Sequence, residues 1–311
     1  MNPHVHQRRA AIDIGTNSVK LLVAEYADGA LEPVWEENEQ TRLGEGFYAE
    51  KRLQPRPIAR TVAAVRRMWE AAQRHGATSV RIIATSAVRE ARNGPQLVDA
   101  VREATGLATE VIPGETEADW SHKGVRSNRR FSSQRLLVLD VGGGSTEFIV
   151  GEPGRITFRE SFELGTVRAF ETLRPPADPS PEDLARARRH LGDFLELTVL
   201  PEIGRHLESP VELAVGVGGT TAILALVEQG SPAFDRNAIE SHVFTPESLG
   251  RLVERLWSLP LSLRRTLPGL PPERADVILT GCAIYEAILL KLRLPALGIS
   301  TRGLRFGALL P

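Results

Sequence analysis

One local pattern occurs twice in this chain, and it constrains the fold more than any other feature. Residues 9–31, RAAIDIGTNSVKLLVAEYADGAL, run from an apolar stretch through Asp13-Ile14-Gly15 and a turn of small polar residues. Alternation follows through Val19, Leu21 and Val23 to a turn at Asp28-Gly29. Residues 136–156, LLVLDVGGGSTEFIVGEPGRI, repeat this through Asp140-Val141-Gly142, then Thr146, Phe148 and Val150, to a turn at Pro153-Gly154. Period-two alternation ending in Gly-containing turns reads as a β-hairpin in each case. The two aspartates and the two glycines share one offset (140 − 13 = 142 − 15 = 127). A single repeat at that distance points to two related domains rather than a solenoid of short units.

The segments after each hairpin follow a common order. A strand is expected near Leu31–Leu43, then a helix with apolar positions Ile58, Val62, Val65, Trp69 and Ala72 that ends at Gly76. A strand at Val80–Ala84, a helix over 95–104 and a strand at Thr109–Ile112 follow, and Gly114–Lys123 reads as a helix start. In the second half the strand near Ile156–Phe162 precedes a helix with Ser180 as N-cap and Pro181 at its first position. A strand at Leu213–Val217, helices at 246–257 and 276–292, and a strand near Ala296–Ser300 complete an α/β reading. Arginine-rich 124–135 marks the joint, giving domains 1–125 and 126–311. The 311 residues suit two domains. A single cysteine, Cys282, excludes an intrachain disulfide framework, and it reads as core. With 38 Lys+Arg against 39 Asp+Glu, no global field favours nucleic acid or an acidic membrane. No apolar run is long enough for a membrane span, so a cytoplasmic protein is expected.

Chemistry is expected first at the two Asp-x-Gly turns. A chain that reverses through small residues presents backbone N–H groups to one point, which is how phosphate is cradled. Thr16, Asn17, Ser18, Ser145 and Thr146 add polar side chains, and Gly142, Gly143 and Gly144 permit close backbone approach. One such turn would read as a solvated hairpin end; two at a matching offset favour a binding role. Asp140 and Glu147 are hard oxygen donors suited to Mg²⁺. The glycine-rich VGVGGTTA at 215–222 is by itself a weak signal and reads as a packing turn from strand to helix about as readily as the nucleotide loop that a resemblance to kinases would imply. Arginines 126, 129, 130, 135, 186, 188 and 189 read as a polyanion groove or as solvated faces. The histidines show no paired spacing except His4-x-His6, so no zinc site is expected.

Several segments together resemble the exopolyphosphatase and guanosine pentaphosphate phosphohydrolase (Ppx/GppA) family. They are AIDIGTNSVKLLV, ATSAVREARN (84–93), VIPGETEA (111–118), VLDVGGGSTEFIVG (138–151), VGVGGTTA, GLPPERADVILTG (269–281) and ISTRGLRFGALL (299–310). The resemblance runs from about residue 9 onward and matches the short two-domain form. It implies two ribonuclease H-like domains flanking a cleft, as in actin, Hsp70 and sugar kinases. Asp13, Gly15, Thr16, Asn17 and Ser18 then form the first phosphate loop, and Asp140 to Glu147 the second. Magnesium is implied at Asp140, Glu147 and Asp13, a phosphate contact at Arg89, and a catalytic base at Glu117. The family motif Gly-x-Glu-Glu-Ala stands here as Gly114-Glu115-Thr116-Glu117-Ala118, with Thr116 replacing the first of the paired glutamates. The implied substrate is inorganic polyphosphate, or alternatively guanosine pentaphosphate, and the implied assembly is a homodimer. Two rival readings are an ATP-dependent phosphotransferase and a binding-only sensor of polyphosphate or guanosine tetraphosphate.

Overall fold

The structure, a computed structural model, describes residues 7–27 and 30–311. The Asp28-Gly29 turn and His4-x-His6 lie outside the described residues. The chain divides into two compact units, one comprising the chain up to Arg129 together with Arg302–Pro311, the other Arg130–Thr301. The division expected from the sequence, 1–125 and 126–311, is therefore displaced at the joint, and the last ten residues belong to the first unit.

In the first unit, β1 (Gln7–Ile14), β2 (Val19–Ala27) and β3 (Ala30–Glu39) form an antiparallel meander. β4 (Ser79–Ala84) and β5 (Thr109–Val111) extend the sheet in parallel to give the order β3-β2-β1-β4-β5. Both sheet faces are buried, and alternation decides what each face meets. Ala10, Ile12, Ile14, Leu21 and Val23 pack on α1 (Pro55–Arg74), α2 (Ser86–Glu90) and α3 (Gly94–Thr105) through Val65, Met68, Val88, Leu97 and Val101. Ala11, Leu22 and Ala24 meet Phe306 and Leu309, and Ile83 and Ile112 meet Leu304 and Ala308. α4 (Gly114–Arg126) lies on that second side.

The second unit repeats the plan. β6 (Leu136–Val141), β7 (Thr146–Glu152) and β8 (Arg155–Phe162) form the meander, β9 (Leu213–Val217) pairs parallel to β6, and β11 (Leu297–Ser300) pairs parallel to β9. The short edge strand β10 (Val243–Phe244) is an addition, giving β10-β11-β9-β6-β7-β8. Register repeats as well: Asp13 stands opposite Lys20 and Asp140 opposite Glu147, each at the same 127-residue offset. The longer helices are α5 (Thr166–Leu173), α6 (Pro181–Phe194), α7 (Gly218–Gln229), α8 (Pro246–Trp257) and α9 (Ile278–Lys291). Ser180 caps α6 with a full capping box to Asp183. Returning to the first unit, the chain ends in α10 (Leu304–Leu309).

Two sequence expectations change. The arginine-rich joint is helical as far as Arg126, because α4 continues through it. The arginines expected as one groove or face mostly form local pairs: Arg126 with His122, Arg130 with the Glu240 carbonyl, Arg135 with the His206 carbonyl, Arg186 with Asp183, and Arg188 with buried Glu286. Cys282 is buried in α9, where burial pushes its thiol up. Among the described residues no helix is long and apolar enough to cross a membrane.

Candidate active site

The site residues of the first unit follow from the sheet. β1, β4 and β5 run parallel, so their carboxyl ends lie at one edge, where open α/β sheets bind ligands. The Ile14 carbonyl accepts from Thr85 N–H at 3.2 Å, and the Ala84 carbonyl from Ile112 N–H at 3.0 Å. These bonds set three strand exits side by side: the loop Gly15–Ser18, the turn into α2 and the turn into α4. Arg89 lies on α2 and Glu117 in the first turn of α4.

Arg89 and Glu117, singled out separately in the sequence, are ion-paired. Arg89 Nη1 donates to Glu117 Oε2 at 3.0 Å and to the Ile112 carbonyl at 2.9 Å. Glu117 is only 8% exposed, whereas Glu115 is exposed and Thr116 half-buried. The side that Thr116 changes is therefore wetter than the carboxylate proposed as base. Each such charge-assisted bond fixes geometry as well as charge. Among the described residues Arg89 Nη2 and Nε take no protein acceptor, which leaves part of its donor fork for a ligand oxygen.

The two Asp-x-Gly loops share one construction. Gly15 N–H donates to the Ser18 carbonyl at 3.0 Å, and Gly142 N–H to the Ser145 carbonyl at 2.9 Å, again at the repeat offset. The N–H groups of Thr16, Asn17, Ser18, Gly143, Gly144 and Ser145 donate to no protein acceptor among the described residues. Nδ2 of Asn17 is also buried without a partner. A buried donor left unmet is costly, so these are groups that water or an oxygen-bearing ligand would satisfy.

Not every expected polar side chain is available. The Thr146 hydroxyl donates to the Leu164 carbonyl, and the Ser145 hydroxyl to Glu147 Oε1 at 2.9 Å. Both were expected as phosphate donors; their hydroxyl protons are committed inside the protein, and the second loop offers its backbone instead.

Asp140 and Glu147 are opposite residues of an antiparallel pair, so their side chains emerge on one face. Ser145 and Ser161 hydroxyls hold Glu147 Oε1 at 2.9 and 2.7 Å. Two carboxylates, completed by phosphate oxygens and water, suit Mg²⁺, which is usually held by one or two. Among the described residues no three His, Cys, Asp or Glu side chains form a cluster able to hold a metal. Asp13, expected as a third ligand, faces Lys20 across its own hairpin where Asp140 faces a carboxylate.

In the second unit the glycine-rich segment after β9 lies beside Asp140. Gly218 has φ +86°, and a Cβ there would lie 2.9 Å from Asp140 Oδ1. Gly219 borders Arg274, whose Nη1 would be 2.7 Å from an added Cβ. Arg274 is 7% exposed, its Nε is unpartnered, and burial lowers its pKa to about 10. Among the described residues this guanidinium makes no side-chain hydrogen bond, although Asp276 lies near enough to offset part of its charge, and it stands beside the start of α7 as a second buried cation. The sequence contained it within GLPPERADVILTG, but nothing local marked this arginine as buried.

Comparison with known proteins supplies the family. The chain is 34% identical over 298 residues to exopolyphosphatase 2 of Mycobacterium tuberculosis, covering 92% of this chain and 91% of that one. It is 28% identical over 300 residues to the guanosine-5'-triphosphate,3'-diphosphate pyrophosphatase of Vibrio campbellii, spanning 96% of this chain and 58% of that longer protein. The solved PPX-GPPA enzyme of Aquifex aeolicus superposes with a TM-score of 0.79 at 29% identity, covering 98% of this chain and 99% of that one. The profile of the Ppx/GppA phosphatase family matches residues 22–311. By its doubled sheet, its paired loops and these likenesses, the chain belongs to the Ppx/GppA phosphatase family.

Proposed function

We propose that this protein is a magnesium-dependent exopolyphosphatase, hydrolysing the terminal phosphoanhydride bond of inorganic polyphosphate. The observation that carries the reading is the pairing of buried Glu117 with half-buried Arg89 at the strand exits beside a loop of unmet N–H donors. Similarity to exopolyphosphatase 2 over nearly the whole of both chains supports the substrate class.

Phosphoryl transfer passes through a loose transition state, so positioning and charge neutralisation are the main tasks. Loop N–H groups and the free part of the Arg89 fork bind phosphoryl oxygens. Glu117 accepts a proton from water as the water oxygen bonds to the terminal phosphorus, and the bridging P–O bond breaks, leaving the shortened chain with the electron pair. Arg89, bonded to Glu117 Oε2, fixes the orientation of the carboxylate that takes this proton. Asp140 and Glu147 would hold Mg²⁺, which when bound offsets negative charge on the phosphoryl oxygens.

Glu117→Gln should lower kcat by about 10²- to 10⁴-fold, the range for a positioned general base. Turnover near wild type in a phosphate-release assay would remove Glu117 from the mechanism. Glu147→Gln should raise the Mg²⁺ concentration needed for half-maximal rate, and an unchanged Mg²⁺ dependence would reject the metal assignment. The second reading, guanosine pentaphosphate hydrolysis, draws on the Vibrio campbellii likeness and on buried Arg274. Phosphate release from long polyphosphate, short polyphosphate and guanosine pentaphosphate, with and without Mg²⁺, decides between them. Tight binding without release selects the sensor.

A further inference from the structure

Each phosphate loop is gripped from behind by the segment that follows the third strand of its own sheet. In the first unit, Gly44 N–H donates to the Thr16 carbonyl at 2.7 Å and Arg42 N–H to the Asn17 carbonyl at 2.9 Å. In the second unit, Thr166 N–H donates to the Gly142 carbonyl at 2.9 Å, and Val167 and Arg168 N–H groups to the Gly143 carbonyl at 2.9 and 3.1 Å. Arg168 Nε then takes the Gly144 carbonyl at 2.7 Å, while its Nη1 is held by Glu163 at 2.8 Å.

A trans peptide is planar, with its C=O and N–H pointing in opposite directions. Tying the carbonyls of Thr16, Asn17, Gly142, Gly143 and Gly144 to one side therefore turns the N–H groups of Asn17, Ser18, Gly143, Gly144 and Ser145 to the other. Among the described residues six N–H groups of the two loops have no protein acceptor; these are five of them, and the sixth is Thr16 N–H. The grip requires backbone-to-loop contact closer than a side chain allows. A Cβ on Gly44 would lie 2.4 Å from Thr16 Cγ2, and one on Gly165 would lie 2.4 Å from the Gly143 oxygen and 2.5 Å from the Gly144 nitrogen.

We propose that Gly44, Gly165 and Arg168 are positioning residues, fixing the peptide planes of the two loops so that their N–H groups face phosphate. The inference rests on the loops being phosphate cradles. It extends that reading to residues outside the loops, in the matching Leu43-Gly44 and Leu164-Gly165 pairs. The two units differ in one device, since Arg168 adds a side-chain grip at the glycine-rich loop, and the residue three after Gly44 is Phe47.

The test uses the full chain and the variants Arg168→Met, Arg168→Lys and Gly165→Ala. Loss of a charge-assisted bond to the Gly144 carbonyl should raise KM for polyphosphate about tenfold in Arg168→Met. Arg168→Lys, which keeps a cationic donor, should recover most of that loss. Gly165→Ala should raise KM further; if it fails to fold by circular dichroism, the Arg168 pair decides. Amide NMR with inorganic phosphate provides the independent readout: Gly143 and Gly144 resonances should shift in the wild type and shift less in Arg168→Met. A wild type that releases no phosphate from polyphosphate defeats the proposed reaction, yet the phosphate titration still judges the grip. Unchanged KM in folded Arg168→Met and Gly165→Ala, or equal amide shifts in wild type and Arg168→Met, would overturn the grip.

Discussion

His122 shares α4 with Glu117 and is buried, its Nε2 accepting from Arg126 Nε at 3.2 Å. Desolvation first, and the neighbouring guanidinium second, push its pKa down to about 4. An unfolded chain takes up this proton near pH 6.5, so between 6.5 and 4 the unfolded state binds more protons and the native state loses stability as pH falls. At about 1.4 kcal/mol per pKa unit the loss is on the order of 2–3 kcal/mol by pH 4. Urea unfolding at pH 7, 5.5 and 4.5 should show that slope, and His122→Gln should flatten it; an equal slope in the variant would place the acid sensitivity elsewhere. At this scale the sequence was partly legible. Glu117 and Arg89 stand in recognisable motifs, whereas Gly44, Gly165 and Arg274 act through what packs on them. The signal for the glycines was present as a Leu-Gly pair after the third strand of each half, a dipeptide too common to read without the fold.

Helix α4 and helix α10 approach through glycine rather than through side chains. An added Cβ on Gly307 would sit 1.9 Å from the Trp120 carbonyl oxygen, and one on Gly124 2.1 Å from the Gly303 oxygen. Gly307→Ala must therefore push α10 off α4 and should cost about 1–3 kcal/mol, the usual range for overpacking. Glu117 lies one turn before Trp120, so the same variant should also lower kcat/KM; chemical denaturation and phosphate release measured together check both effects. Strands and long helices were readable because α1 and the meanders repeat their apolar positions over many residues. α5, at eight residues, and α10, at six, are too short for a 3.6-residue period to declare itself. α10 was also hidden because its burial comes from a sheet whose strands lie far away in sequence.

The two units follow one plan in strand order, hairpin register and loop hydrogen bonding, and they part in charge, with Lys20 in the first standing where Glu147 stands in the second. The duplication was visible in the sequence because it preserves an offset; the true boundary was not, because no composition shift marks Arg302. Phe306, 1% exposed, seals the face of the first sheet formed by Ala11, Leu22 and Ala24. Phe306→Ala should cost about 3–5 kcal/mol. Hydrogen exchange should locate that loss in β1, β2 and β4 and leave β6, β7 and β9 as protected as before; uniform loss across both sheets would mean the units do not unfold separately. The placement of α10 also sets an order of assembly. During synthesis every residue of the second unit is made before the helix that closes the first, so the earliest strands made wait longest for their cover, and a chain released at Thr301 holds all of the second lobe while the first stays open to chaperones.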